Sequence, residues 1–237
     1  MLIAAALCPA PPLLARELTG ADPVLPELRQ ACREAVGELI RADADVVVVV
    51  GVAGAERVFD PGARLDVTTY APALRARGRE ANPAGLDALP PLPLPIGLGS
   101  RLLDEAGYHG RRQLQSVGEG TSPTACAALG TRLADAAPHV ALLVMADGSA
   151  RRSRRAPGYL DVRAEPFDAE VGRAIRTGDL PALLALDDAL ASELMATGRP
   201  AWQVLAGAAA GRRPSCVVRY DDAPFGVGYL VASLVVG

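Results

Sequence analysis

Five consecutive valines, Val46–Val50, constrain this chain more than any other feature. Valine carries two heavy atoms on Cβ, is stiff at χ1, and fits a pleated strand better than a helix. An unbroken apolar run lacks the polar alternation of a half-solvated strand, so it predicts a strand covered on both faces. Such a strand needs helices above and below, which is the layering of α/β folds. Two further runs repeat the signal, Met1–Leu7 (MLIAAAL) and Val140–Ala146 (VALLVMA). Between the first two strands, Pro26–Arg41 sets Leu28, Ala31, Ala35, Val36, Leu39 and Ile40 at helical spacing. The opening therefore reads β-turn-α-β, a crossover that makes its strands parallel.

The remaining pattern extends this frame. From Asp60 to Gly99 the periodicity dissolves into Pro and Gly, including Leu89–Pro95 (LPPLPLP), an extended connection or a polyproline ligand for a partner. A short helix is predicted at Ser100–Ala106, a strand at Gln113–Val117 and a helix at Pro123–Ala136. After the VALLVMA strand comes a polar turn, Asp147–Arg155. Phe167–Arg176, Leu180–Ala196 and Trp202–Ala209 read as helices, and Ser215–Tyr220 and Val227–Val236 as strands. The last two strands, joined at Asp221–Phe225, should pair antiparallel. The expected fold is α/β: one domain over residues 1–237, a three-layer sandwich around a central mixed, mostly parallel sheet.

Composition narrows the function classes. Half of the 237 residues are hydrophobic and 22% are charged, which excludes a disordered chain. A net charge of −3 gives no general attraction for nucleic acid or an anionic membrane. All 24 basic residues are arginine, so lysine Schiff-base chemistry and a P-loop lysine are excluded. Met1–Leu7 has no basic flank and is interrupted by Pro9, Pro11 and Pro12, so it reads as a strand rather than a leader. No apolar run approaches the ~20 residues of a membrane span. Cys8, Cys32, Cys126 and Cys216 lie far apart with no CxxC, the pattern of reduced thiols in a cytoplasmic protein.

Few residues point to chemistry. His109 and His139 are the only histidines, and neither belongs to an HxH, HxxxH or HExxH pattern. No GxSxG elbow is present. Gly51-Val-Ala-Gly54 follows the valine strand but lacks the full GxGxxG spacing of a dinucleotide loop. The Asp147–Arg155 turn stands at the carboxyl end of a buried strand, where parallel α/β sheets bind ligands. Its four arginines have the chemistry to clamp a carboxylate or phosphate.

Taken in order, these pieces resemble the subunit-B family of class III extradiol ring-cleavage dioxygenases, the LigB-like superfamily that also contains Memo-like proteins. Pro224-Phe-Gly-Val-Gly-Tyr-Leu-Val-Ala232 is similar to that family's closing strand. Phe167-Asp168, Gly178-Asp179-Leu180 and Leu186-Asp187 are similar to its late helices. Pro9-Ala-Pro-Pro-Leu13 resembles a first turn usually written Pro-His-Pro-Pro. Val48–Ala53 resembles a strand that usually ends in Ser-Pro-His, and Met145–Arg151 a loop usually written Ser-Gly-Asp-Leu-Ser-His-Arg.

The resemblance implies non-haem Fe(II) held by two histidines and a glutamate, with a further histidine moving protons. Here the matching positions are Ala10, Ala53 and, for the glutamate, Ala196; Ala150 stands in place of the last histidine. Glu193, one turn before Ala196, is the nearest carboxylate, while Asp147 and Ser149 keep the family's pattern. Alanine binds no metal, so the expectation is a metal-free, catalytically degenerate member with no cofactor, acting as a binding or scaffold protein. Its cleft would be lined by Ala10, Ala53, Asp147, Ser149, Ala150, Arg151 and Glu193 and would favour an anion. The alternative is an active enzyme. It would be either an iron-dependent dioxygenase with non-standard ligands drawn from Cys8, Asp147, His139 and Glu193, or a metal-independent enzyme using Asp147, Ser149 or the Cys8 thiol. A partner protein or a second copy would dock on Leu89–Pro95 or on the apolar last strand.

Overall fold

The computed structural model describes residues 1–19, 24–68, 70 and 89–237. Part of the Asp60–Gly99 stretch lies outside the described residues. One seven-stranded sheet runs from one end of the chain to the other: β1 (Leu2–Cys8), β2 (Val46–Ala53), β3 (Arg57–Phe59), β4 (Arg112–Gly118), β5 (Val140–Met145), β6 (Ser215–Asp222) and β7 (Tyr229–Val235). Its order is β3-β4-β2-β5-β1-β7-β6. The four central strands, β4, β2, β5 and β1, are parallel. The flanking β3, β7 and β6 join antiparallel, including the hairpin expected at the end of the chain.

The valine strand sits inside the sheet, between β4 and β5, and its side chains alternate between two cores. Val46, Val48 and Val50 face one core with Trp202 and Leu205. Val47 and Val49 face the other with Leu28, Val36 and Ile96. Helix α2 (Pro26–Arg41), preceded by the single turn α1 (Arg16–Thr19), covers the second face together with α3 (Leu94–Glu105). The first face carries α4 (Pro123–Ala134), α5 (Ala164–Thr177), α6 (Pro181–Leu184), α7 (Asp188–Glu193) and α8 (Arg199–Ala208). Gly130 and Gly207 let α4 and α8 touch backbone to backbone, where a Cβ on either would collide with main chain. The three-layer α/β sandwich with a mixed central sheet is therefore the fold.

Several local expectations change. Leu180–Ala196 is two short helices, because Asp187 accepts the Leu190 N–H at 2.9 Å and caps a new start. Helix α3 begins six residues before Ser100, since Pro95 falls in its first turn, where the missing N–H costs nothing. The polyproline reading of Leu89–Pro95 fails at Leu92, which is buried and bridged to Leu65, and the segment turns helical from Leu94. The last strand offers no free edge, because β7 is enclosed between β1 and β6. Gly51–Gly54 leads into β3 rather than a helix. A Cβ at Gly51 would lie 2.7 Å from Pro95 Cβ, so that glycine serves close packing and not a phosphate. Among the described residues, no helix is long and apolar enough to cross a membrane.

Candidate functional site

The carboxyl ends of β1, β5 and β2 lie on one edge of the sheet, with Cys8 and Gly51 both in register with Met145. Chain leaving β1 bends at once into Pro9–Pro12, and chain leaving β5 enters Ala146-Asp147-Gly148-Ser149-Ala150. A cleft of about 610 Å³ opens between them. Pro11, Pro12, Leu13 and Leu18 form one wall, and Ala150, Pro157, Met195 and Thr197 a second. Phe225, Val227 and Tyr229 close the far side, with Tyr70 at the rim. Among the described residues, Asp147 is the only charged side chain in this lining.

The floor of the cleft is tied down from both flanks. On one side Gly148 N–H donates to Gly228 O, and Gly228 N–H returns to Ser149 O, each at 2.8 Å. On the other, Gly198 N–H donates to Asp147 O at 2.9 Å and Ala150 N–H to Leu194 O at 3.0 Å. Asp168, from α5, locks the turn beneath. Its carboxylate accepts Ser149 N–H at 2.8 Å and Ser149 Oγ–H at 2.7 Å, and pairs with Arg152 at 3.3 Å. Gly148 and Gly228 make room for it, since a Cβ on Gly148 would lie 2.8 Å from Asp168 Oδ1 and one on Gly228 would meet Oδ2.

Two carboxylates thus meet the same turn with different surroundings. Burial pushes the Asp168 carboxyl upward, while Ser149 and Arg152 pull against that displacement. Asp147 accepts one hydrogen bond, from Ala10 N–H to Oδ1 at 2.7 Å, and enters no ion pair among the described residues. Burial carries its carboxyl up to about 6, with only the Ala10 N–H opposing. Desolvation, aided by the nearby Asp147 charge, likewise pushes the Tyr229 phenol upward.

Met195 is the one cleft residue other than glycine with a positive φ, 55°. It follows α7 as a left-handed cap, with Ala196 N–H donating back to Ala191 O at 2.8 Å. Glycine usually fills this position. The methionine instead turns a half-exposed thioether to the cleft rim.

The fold separates the expected cleft residues. Asp147 and Ala150 line the cleft, and Ala10 supplies the N–H against Asp147. Ser149 is completely buried and turned to Asp168, away from the cleft. Arg151 donates to Glu193 O at 2.9 Å and stays outside the lining. Glu193 is exposed and bound to Arg163 at 2.7 Å. Ala53, on the same sheet edge, lies outside the lining, and Ala196 borders a smaller pocket beyond Met195. The expectation of an anion-favouring cleft is corrected by this arrangement: among the described residues no arginine lines it, and the one charged side chain there is an acid.

The alternative ligand set is not assembled either. His139 precedes β5 and pairs with Asp45 before β2, at the opposite end of the strands from Asp147. His109 lies in the loop before β4, also at that far edge. Among the described residues, no three His, Cys, Asp or Glu side chains converge as a metal ligand set. The residues standing where the resemblance places iron, Ala10, Ala53 and Ala196, do not fit a metal. Cys8 fits no nucleophile, because it is fully buried and both the Cys32 thiol and desolvation push its pKa well up.

Fold and cleft define a class: a three-layer α/β protein with a mixed sheet and an open, apolar pocket at the carboxyl ends of its parallel strands. The chain is similar to the uncharacterized protein JW3007 from Escherichia coli K12, known from a crystal structure. That similarity has a TM-score of 0.59 at 15% identity, over 98% of this chain and 99% of that one. It establishes a shared fold. No family model matches the chain, and no curated protein matches it.

Proposed function

We propose that this protein binds a small, mainly apolar molecule in the Asp147 cleft. In this reading it is a catalytically degenerate, metal-free relative of the class III extradiol dioxygenase subunit-B family. The observation that carries the reading is the cleft itself: about 610 Å³, walled by proline, aliphatic and aromatic side chains, with one charged anchor among the described residues. Ligand pockets are built in this way, as apolar concavities with a few placed polar groups at strand ends. The turn that presents Asp147 is held from both flanks by backbone hydrogen bonds, so the pocket is pre-formed. The resemblance supports the descent, since Ala10, Ala53 and Asp147 all stand on the sheet edge where the family places its chemistry.

Fluorescence titration with N-phenyl-1-naphthylamine tests the reading. Saturable binding at one site per chain is expected, weakened by Phe225→Ala and blocked by Thr197→Trp, a rim position where a large ring fits without entering the core. Absence of saturable binding, or binding indifferent to both substitutions in folded protein, overturns it.

A further inference from the structure

We infer that the cleft selects an organic cation: a protonated amine or similar charged nitrogen carried on a flat apolar body. This deepens the proposed function and rests on its reading of the cleft as a small-molecule site. Asp147 accepts only the Ala10 N–H, through Oδ1, which leaves Oδ2 without a partner in the cleft lining. Among the described residues, none of the neighbouring arginines bonds Asp147. Arg152 is paired with Asp168 and Glu165, and Arg151 turns its guanidinium to the Glu193 carbonyl, outside the cleft lining. Across the helices, Arg163 is paired with Asp161 and Glu193, and Arg199 with Asp188. Among the described residues, then, Asp147 is a carboxylate with no counter-charge in an apolar cleft.

The walls agree with that partner. Three of the nine aromatic residues of the chain, Tyr70, Phe225 and Tyr229, gather around this one cleft. Tyr70 and Phe225 are each 48% exposed, so their rings are open to a guest. Aromatic faces attract cations through the ring quadrupole, and the polarizable sulfur of Met195 packs well on planar groups. An anion would meet the Asp147 charge. A neutral guest would take water from Oδ2 and return no charge-assisted hydrogen bond. One carboxylate is too few ligands for a divalent metal ion. A charged nitrogen alone answers both the free oxygen and the aromatic rim.

The test is a matched set of probes by isothermal titration at pH 7.5: 2-naphthylmethylamine, 2-naphthalenemethanol and 2-naphthoic acid. The three share a ring and differ in charge at one end. The amine should bind at least about tenfold more tightly than the alcohol, and the acid should give no measurable heat. Asp147→Asn, whose amide oxygen still accepts the Ala10 N–H, should remove the preference of amine over alcohol while circular dichroism shows a native fold. Amine and alcohol binding equally to the wild type, or a preference that survives Asp147→Asn, overturns the cation inference and leaves the cleft standing. Failure of all three probes overturns the small-molecule reading itself.

Discussion

Replacing Asp147 by asparagine should make the protein more stable, and the gain should depend on pH in a defined direction. The carboxyl sits at about 6 in the folded chain against an ordinary 3.8, because burial disfavours its charged form. A carboxyl raised by folding costs stability wherever the unfolded chain is ionised, so the penalty is absent below pH 3.8, grows through the interval to 6, and is complete above it. That displacement corresponds to about 3 kcal/mol, an upper bound because one edge of the carboxylate reaches solvent. Asparagine keeps the volume and the acceptor for Ala10 N–H, at 2.7 Å in the parent, and removes the charge. Urea unfolding at pH 8 should therefore show Asp147→Asn more stable by roughly 1–3 kcal/mol, with a melting temperature about 2–10 °C higher for a chain of this size. The advantage should fall to about half by pH 5 and vanish below pH 4. A variant equal to or weaker than the wild type at pH 8 refutes the reasoning, as does a gain that persists unchanged in acid.

Further consequences concern the frame around the cleft. Gly228→Ala should cost about 1–3 kcal/mol by overpacking, since its Cβ would also lie 2.9 Å from Asp168 Cγ; a denaturation midpoint equal to wild type counts against the tight turn. Ser149→Ala removes a buried hydroxyl bonded to Asp168 and should lower stability by about 1–3 kcal/mol while leaving probe binding intact, so loss of binding without loss of stability would return Ser149 to the site. Val48→Asp should give insoluble or unfolded chain, because a fully buried unpaired charge there has no partner; a soluble, folded variant contradicts the assignment of β2 to the sheet centre. Timed alkylation read by mass spectrometry should modify half-buried Cys216 first and leave Cys8, Cys32 and Cys126 protected in native protein, and early labelling of Cys8 would show that β1 is not enclosed.

What could be read from the sequence divides along physical lines. Strands covered on both faces have no reason to alternate, so Met1–Leu7, Val46–Val50 and Val140–Ala146 announced the central sheet by composition alone. β3 could not be read in the same way. It has three residues, Val58 is 61% exposed, and it pairs with β4 through backbone groups that every residue carries. Helix α3 was half hidden because Pro93 and Pro95 read as breakers, although proline in a first turn is compatible with a helix. Within the site, Asp147 was legible through the rule that ligands gather beyond strand ends. Tyr70, Met195 and Phe225 were not, because only the tertiary fold brings their three segments to one place. Ser149 and Arg151 were misplaced for a related reason: Asp168 captures the first from below and Glu193 O holds the second outside.

The contrast between Asp147 and Asp168 separates structure from function on this edge of the sheet. Asp168 has what a buried carboxylate needs for stability: a backbone N–H, a hydroxyl and an arginine, each within 3.3 Å, and two glycines that clear its space. Its role is complete inside the chain. Asp147, on the same turn, has one N–H and an open oxygen in an apolar cleft. Asparagine would serve the Ala10 N–H equally well and without the burden of a desolvated charge, so the hydrogen bond alone does not account for a carboxylate at this position. The cost of holding that charge is the quantity a bound cation would offset, because a protonated nitrogen at Oδ2 supplies a counter-charge that none of the described residues provides. A carboxylate that destabilises the empty protein and stabilises the loaded one is what a binding site for an organic cation requires.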